Sequence, residues 1–332
     1  MLNHFQKGSA QDKLLSSELG PKPKTLYTIE LSEQEISQLK TYLEKNTWEP
    51  YTVEHAAYAY KGDRVNVVAY KSGKVVIQGK KTEDFVRYVI EGEITKMPQL
   101  GYEAILNPEW FEAHAGLDES GKGDLFGPVV SACVIADGPM VQSWLDAGLK
   151  DSKKITSDAA ILKLEKIIRS TNGVVIGLSF ASMPKYNELY KKFNSNMNKL
   201  LAWLHAKALE EALRKKRVPW ALLDQFSKQP LVQKYFKDDP IDLRMRTKAE
   251  SDPVVAAASI IARATYIHQM QKLSQNFGEK LSKGVNAKVK EQAKAIVQKW
   301  GAEALGNYAK LHFRTSYEIL GLPVPEKANM PY

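Results

Sequence analysis

The stretch GLDESGKGDLFGP, residues 116–128, sets two adjacent carboxylates, Asp118 and Glu119, ahead of a glycine-rich turn that carries Lys122. Two more acids end or adjoin apolar runs. Asp224 closes VPWALLD, and Glu250 lies in RTKAESDPVVAAAS, with Asp252 two residues on as the lesser candidate. Carboxylates gathered in one place repel one another and are costly unless a cation sits between them. Hard divalent ions such as Mg²⁺ or Mn²⁺ prefer oxygen ligands. A pair of them can activate a water and stabilise a leaving oxygen, the usual apparatus for phosphodiester hydrolysis. Neighbouring residues on a strand point to opposite faces, so a bend at the strand end is expected to bring Asp118 and Glu119 to one site. Gly121 and Gly123 remove side chains around Lys122, and backbone N–H groups there could approach a sugar-phosphate closely. Taken singly, each acid is more often a surface residue or a helix cap, and the glycines can serve a tight turn alone.

Two other chemistries fail on the residues. Gly116 to Lys122 spells G-x-x-x-x-G-K, but a phosphate loop needs Ser or Thr next, and Gly123 stands there. Its two internal acids would also repel a triphosphate. The six histidines are scattered without metal-ligand spacing, which argues against a zinc site. His205, in LLAWLHAKALEE, reads as a packed helix residue, and His312, in KLHFRTS, stays open.

The elements that must position the acids follow from periodicity. AHAGLDES and PVVSACVIA read as strands around the glycine loop, with GVVIGLSFA and WALLD as further strands. AAILKLEKIIRS, NKLLAWLHAKALEEALRKK, VVAAASIIARATYIHQMQKL and KVKEQAKAIVQKW read as helices. Such alternation implies an α/β or α+β domain, a mixed sheet flanked by helices, over residues 113–332. Ahead of it, TLYTIEL is a strand. SEQEISQLKTYLEKN is a helix capped by Ser32, with Ile36, Leu39 and Leu43 on one face. Three strands follow, with turns at Lys61-Gly62-Asp63 and Lys71-Ser72-Gly73, then a helix capped by Thr82. This β-α-β-β-β-α order over residues 23–95 implies a small α+β domain, a curved sheet with helices on one face. Residues 1–22 read as a disordered tail or linker and 96–112 as a connector.

The chain has 332 residues and a formal net charge of +9, which favours a polyanionic partner, nucleic acid before membrane surface. Lys61, Arg64, Lys71, Lys74, Lys80 and Lys81 crowd one stretch with a single acid, Asp63. Tyr58, Tyr60, Val65, Val67 and the Lys74 to Lys80 region are candidates for the bare face of the small sheet, where aromatics beside lysines would hold nucleic acid. The same lysines could instead blunt an edge strand. No run is long and apolar enough for a membrane span, so no membrane partner is expected. The one cysteine, Cys133, sits in an apolar strand and reads as a buried thiol, in keeping with a reducing cytoplasm. Monomer is the default.

GLDESGKGDLFGPVV resembles the signature loop of bacterial ribonuclease HIII, within the type 2 ribonucleases H. The resemblance continues through LKDSKKIT, YNELYKKFNSNMNKLLAWLHAKALE, LLDQF, TKAESDPVVAAASIIAR, LSKGVNAKV and KLHFRTS. The N-terminal piece, with YKSGKVVIQGK, is similar to that family's substrate-binding domain, half of a TATA-binding-protein fold. The resemblance implies a catalytic set of Asp118, Glu119, Asp224 and Glu250 holding two Mg²⁺ or Mn²⁺ ions. It implies cleavage of the RNA strand of RNA/DNA hybrids, leaving 5′-phosphate and 3′-hydroxyl ends. Glutamate at 250, where ribonuclease HII has aspartate, favours type HIII. The spacing from Glu250 to AAAS is one residue shorter than the family pattern, which keeps Asp252 in view. The resemblance implies that the loop carrying Gly121, Lys122 and Gly123 contacts ribose 2′-hydroxyls, with Ser120 beside it as a further substrate-binding candidate. It also implies that Lys153 and Lys154 meet substrate phosphates unless they are plain surface charge. Lys74 and Lys80 are substrate-binding candidates from the basic stretch of the small sheet. A junction cutter like ribonuclease HII and a non-catalytic hybrid binder are the alternatives.

Overall fold

The computed structural model describes residues 25–96, 103–147, 149, 155 and 157–324. The expected tail at 1–22, part of the 96–112 connector, and Lys153 and Lys154 lie outside the described residues. The chain forms two compact units that part between Pro108 and Glu109.

The first unit runs β1 (Leu26–Glu30), α1 (Glu33–Lys45), β2 (Glu49–Pro50), β3 (Ala56–Gly62), β4 (Val65–Tyr70), β5 (Lys74–Gly79) and α2 (Thr82–Phe85). Its antiparallel sheet has the order β1-β5-β4-β3-β2, matching the TATA-binding-protein-like expectation apart from the short added strand β2. Ser32 and Glu35 close a capping box at the start of α1. Leu39 and Leu43 from α1 meet Tyr27, Tyr60, Val65, Val67 and Ile77 in one core.

Three details correct the sequence reading. Tyr58, Tyr60, Val65 and Val67 belong to the helix-covered face, where the hydroxyls of Tyr58 and Tyr60 donate to Ile36 O and Glu44 Oε1. Strand alternation instead puts Thr28, Val76 and Val68 in a row across the bare face, with Ala59 continuing the row where it is covered. Lys74 stands on that bare face opposite Glu30, while Lys80 lies just beyond β5. The β3–β4 turn is Asp63-Arg64, both left-handed, because β3 continues through Gly62. Trp48 covers Gly62 so closely that a Cβ would fall 2.7 Å from its ring, which explains the glycine there. Thr82 is the first residue of α2 and not its cap. Its hydroxyl donates back to Gly79 O and Thr25 O, and the helix continues as π turns over Val86–Ile94.

The second unit contains β6 (His114–Ser120), β7 (Val130–Ala136), α3 (Gly138–Asp146), α4 (Asp158–Ser170), β8 (Val175–Ser179), α5 (Met183–Lys192), α6 (Met197–Lys215) and β9 (Trp220–Asp224). β10 (Asp242–Arg246), α7 (Pro253–Phe277), α8 (Ala287–Trp300) and α9 (Arg314–Leu320) complete it. The sheet is mixed, in the order β10-β9-β6-β7-β8. β10, β9 and β6 are parallel to one another, and β7 and β8 are antiparallel to their neighbours. β10 escapes the sequence reading because arginines fill DLRMR and only one side of it is apolar. Helix α6 covers one face, over Leu117, Cys133, Ile135 and Leu223. Helix α7 covers the other. Cys133 is fully buried, and burial holds its thiol protonated.

Helix α7 sits unusually close to β6. A Cβ on Gly116 would lie 2.4 Å from Val254 C and Val255 N, so only glycine lets the two backbones meet. Asp252 starts the helix there, its Oδ1 accepting from Val254 N and Val255 N. The same oxygen faces His114 Nε2 at 3.2 Å, and His114 Nδ1 faces Glu112 O at 2.7 Å. Both His114 and Asp252 are fully buried. Gly116→Ala should therefore lower stability by about 1–3 kcal/mol, the usual cost of overpacking. Urea unfolding of the variant and its parent measures the difference, and equal midpoints would mean that α7 gives way without cost.

Candidate active site

Strand β6 stays regular through Ser120, so Asp118 and Glu119 face opposite sides of the sheet. Asp118 points toward α7, where Ser259 donates a hydrogen bond to its side chain. Glu119 points toward α6, where its Oε2 lies 3.0 Å from His205 Nε2. The expected bend that would aim both carboxylates at one point is not how the strand ends. Their electrostatic fields still overlap at the strand tip.

The parallel pairing of β6 with β9 sets Leu117 opposite Leu223. One residue on, Asp118 and Asp224 stand side by side on the α7 face. Asp224 Oδ1 accepts from Ala249 N at 3.1 Å, which brings the chain carrying Glu250 to the end of β9. Glu250 thus joins the group through the backbone of a 3-10 turn, Ala249–Ser251, and its Oε2 is buried. Among the described residues no three His, Cys, Asp or Glu side chains are already drawn around one ion-sized point. Three of the acids lean on a neighbour instead: Asp118 Oδ1 on Glu119 N, Glu119 on His205, Asp224 on Ala249 N.

Burial pushes the Asp118 carboxyl up to about 7, reinforced by the adjacent Glu119 and, less, by Asp224. The Ser259 bond and the Glu119 N–H pull the other way. Three carboxylates whose charges oppose one another, all offering oxygen, with one of them 6% exposed, suit a hard cation. Arg263, one turn beyond Ser259 on α7, donates to Ile155 O, and the Asp118 and Asp158 charges oppose the fall that burial imposes on its pKa. Asp252, the lesser candidate, is taken up by the α7 cap and His114.

The glycine loop, residues 121–129, closes the β6–β7 hairpin. Gly121 has φ +83°, and a Cβ there would meet Pro128 O at 2.5 Å and the Tyr266 ring at 2.7 Å. Gly123 meets nothing within 4 Å. The loop is clamped from below. Tyr266 OH donates to Phe126 O, Gly284 N to Asp124 Oδ1, Lys310 N to Leu125 O and Gly127 N to Tyr308 O. Lys310 is fully buried; its ammonium, pulled down to about 7 by burial, donates to Asp124 O and Gly127 O. Lys122 is exposed, its Nζ 3.9 Å from Glu119 Oε1.

This geometry has relatives. A family model described as Ribonuclease HII matches residues 115–316, and one described as Domain of unknown function (DUF3378) matches residues 27–96. The chain is 38% identical to the Ribonuclease HIII of Chlamydia muridarum (strain MoPn / Nigg) over 303 residues, 90% of this chain and 98% of that one. It belongs to the ribonuclease HIII family. The Ribonuclease HIII of Chlamydia abortus (strain DSM 27085 / S26/3) is also 38% identical, over 89% of this chain and 97% of its own. Among solved structures, Bst-RNase HIII in complex with Mn²⁺ is similar at 31% identity and a TM-score of 0.62, covering 90% of this chain and 98% of that one. Aquifex aeolicus RNase H3 is similar at 26% identity and a TM-score of 0.51, over 86% of this chain and 99% of that one. The chain is accordingly a ribonuclease H.

Within that family frame, four residues around the site were not singled out by sequence reasoning for what they touch. They are Ser259 and Arg263 on α7, His205 on α6, and Lys310. Spacing could have found the first pair. Ser259, Arg263, Tyr266 and Met270 fall at intervals of four, three and four, one stripe along the α7 face that meets Asp118 and the loop. Lys310 gives no sequence signal, because nothing local shows that an ammonium will be buried.

The raised Asp118 carboxyl has a measurable consequence. In the unfolded chain it ionises near the ordinary 3.8, and in the metal-free fold near about 7. Between those values the folded state binds more protons, so stability falls as pH rises, and the penalty is complete above the upper value. In EDTA, Asp118→Asn should be more stable than the parent at pH 8, on the order of a few kcal/mol, and the gap should close toward pH 3. Chemical denaturation across pH checks this. A variant no more stable than its parent at pH 8 would contradict the electrostatic account.

Proposed function

We propose that the chain is an endoribonuclease that hydrolyses the RNA strand of RNA/DNA hybrids. The observation that carries this is the buried Asp118, held among like charges beside Asp224 at the tips of two parallel strands. That arrangement asks for divalent cations, and Asp118, Glu119, Asp224 and Glu250 are the residues that would hold Mg²⁺ or Mn²⁺, two ions in our reading. Such ions, when bound, acidify a water and neutralise charge on a leaving oxygen. Asp118 and Asp224 would ligate the ions from the α7 face, and Glu119 and Glu250 would complete the set from the flanks. Attack of water in line with the 3′-oxygen forms one P–O bond and breaks another. The products are a 5′-phosphate and a 3′-hydroxyl.

The loop divides into two jobs. Gly121 is required by the fold, since its side-chain space is filled by Tyr266 and Pro128. Gly123 is not required by packing, so its bareness serves an approaching ligand. Ser120, Gly121, Lys122 and Gly123 would meet the ribose, where a 2′-hydroxyl distinguishes RNA from DNA. Lys74, on the bare face of the first unit's sheet, and Lys80, just past the other end of β5, would contact phosphates, which set register and affinity without reading sequence. Lys153 and Lys154 are assigned the same role on the family pattern. The protein would act as a cytoplasmic monomer.

The test is cleavage of a labelled hybrid with Mg²⁺ or Mn²⁺, beside a duplex with one embedded ribonucleotide. We expect cutting within the continuous hybrid, weak cutting at the single ribonucleotide, and none by Asp118→Asn. Efficient cutting at the single ribonucleotide would favour the junction-cutting alternative, and binding without cleavage would refute the proposal. The glycines give an independent check. Gly121→Ala should cost about 1–3 kcal/mol of stability through strain and overlap. Gly123→Ala should leave the melting temperature unchanged and raise KM for the hybrid. An unchanged KM would remove the loop from substrate recognition.

A further inference from the structure

We infer that His205 is a positioning residue for the metal-binding acids, fixing Glu119 so that the site binds its divalent ion tightly. The inference rests on the metal-binding reading of Glu119 given above. His205 lies in the middle of α6 in an apolar sequence, LLAWLHAKALEE, and is wholly buried. A buried histidine on an apolar helix is commonly core filling. Three observations set this one apart.

Its Nε2 is 3.0 Å from Glu119 Oε2. Its Nδ1 is buried and meets no hydrogen-bond partner. A carboxylate oxygen only accepts, so the bond to Glu119 requires the proton on Nε2. With no acceptor at Nδ1, the ring is set as an Nε2–H donor aimed at the carboxylate. Third, the ring stacks on Phe226, with centroids 5.3 Å apart and an interplanar angle of 17°. Phe226 comes two residues after Asp224, so one imidazole touches an acid of β6 and the segment that follows β9.

The strand geometry explains why such a device is needed. Asp118 and Asp224 share the α7 face, but alternation turns Glu119 to the other side. A glutamate has three side-chain torsions, and left alone beside exposed Lys122 it would sample many of them. Burial of His205 removes that freedom on the α6 side. It commits Oε2 to the ring and leaves the carboxylate plane oriented by a rigid partner. Groups that orient metal ligands in this way are known to matter for affinity about 10- to 100-fold. Lys122 cannot substitute, since its Nζ is 3.9 Å away on an exposed side chain.

The test compares His205→Phe, which keeps the ring and its stacking but not the donor, with His205→Gln, which keeps a donor. Mn²⁺ binding is titrated by calorimetry on the full chain without substrate, and KM for a hybrid is measured at saturating Mn²⁺. We expect His205→Phe to weaken Mn²⁺ binding about 10- to 100-fold. KM should stay unchanged, and His205→Gln should recover most of the loss. Equal Mn²⁺ affinity in His205→Phe and the parent would overturn the inference. Parent protein that binds no Mn²⁺ would instead overturn the metal-binding reading itself. Should His205→Phe fail to fold, the imidazole nitrogens of the intact parent are followed by ¹⁵N NMR with and without Mg²⁺. A protonated Nε2 whose resonance moves as Mg²⁺ saturates supports the inference, and a resonance that ignores Mg²⁺ overturns it.

Discussion

The second unit depends on one contact that has no side chain in it. Gly116 lets the backbone of β6 touch the first turn of α7. Where that turn begins is decided by Asp252, which caps the helix and is held by His114 from the start of the same strand. Strand and helix are thus pinned at two places within one turn. From that fixed origin the helix rise sets everything further along. Ser259 arrives at Asp118, Arg263 lies one turn on, and Tyr266 slides under the glycine loop. Another residue at position 116 would move the whole stripe.

The carboxylates show how a regular strand serves an irregular purpose. Pleating separates Asp118 from Glu119, so each member of that pair has its own face of the sheet and its own supporting helix. Helix α7 supports Asp118 through a hydroxyl, and α6 supports Glu119 through an imidazole. Burial does most to raise Asp118, and the repulsion from Glu119 that adds to it crosses the strand tip. The Asp252–His114 pair lies below this tip and answers a different requirement, that of the helix start.

Much of this was legible in the sequence, for reasons that differ by residue. Asp118, Glu119 and Asp224 stand out as candidates because apolar strands end at or just past them, and Glu250 because it adjoins the apolar run of α7. Ser32 shows as a cap because Glu35 completes the box. The bare face of the first unit was misread because Tyr58 and Tyr60 look like exposed aromatics. Their phases are set by a bulge between Ala56 and Tyr58, which no local pattern announces. Asp252 looked like a spare ligand because a cap and a metal ligand are the same residue type, and only its distance to Val254 N and His114 tells them apart. His205 and Lys310 were hidden for a shared reason. Their partners are 86 residues away at Glu119 and 186 residues away at Asp124.

That last separation has a consequence in time. The glycine loop is made early and its clamp late, since Tyr308 and Lys310 follow it by nearly the whole second unit. On a ribosome that releases the chain N-terminus first, the strand bearing Asp118 and Glu119 emerges long before the ammonium that seats the loop behind them. The loop therefore reaches its seated position behind the acids only after the segment carrying Tyr308 and Lys310 is released. A nascent chain would carry its charges through the crowded surroundings of ribosomal RNA with the loop still unseated.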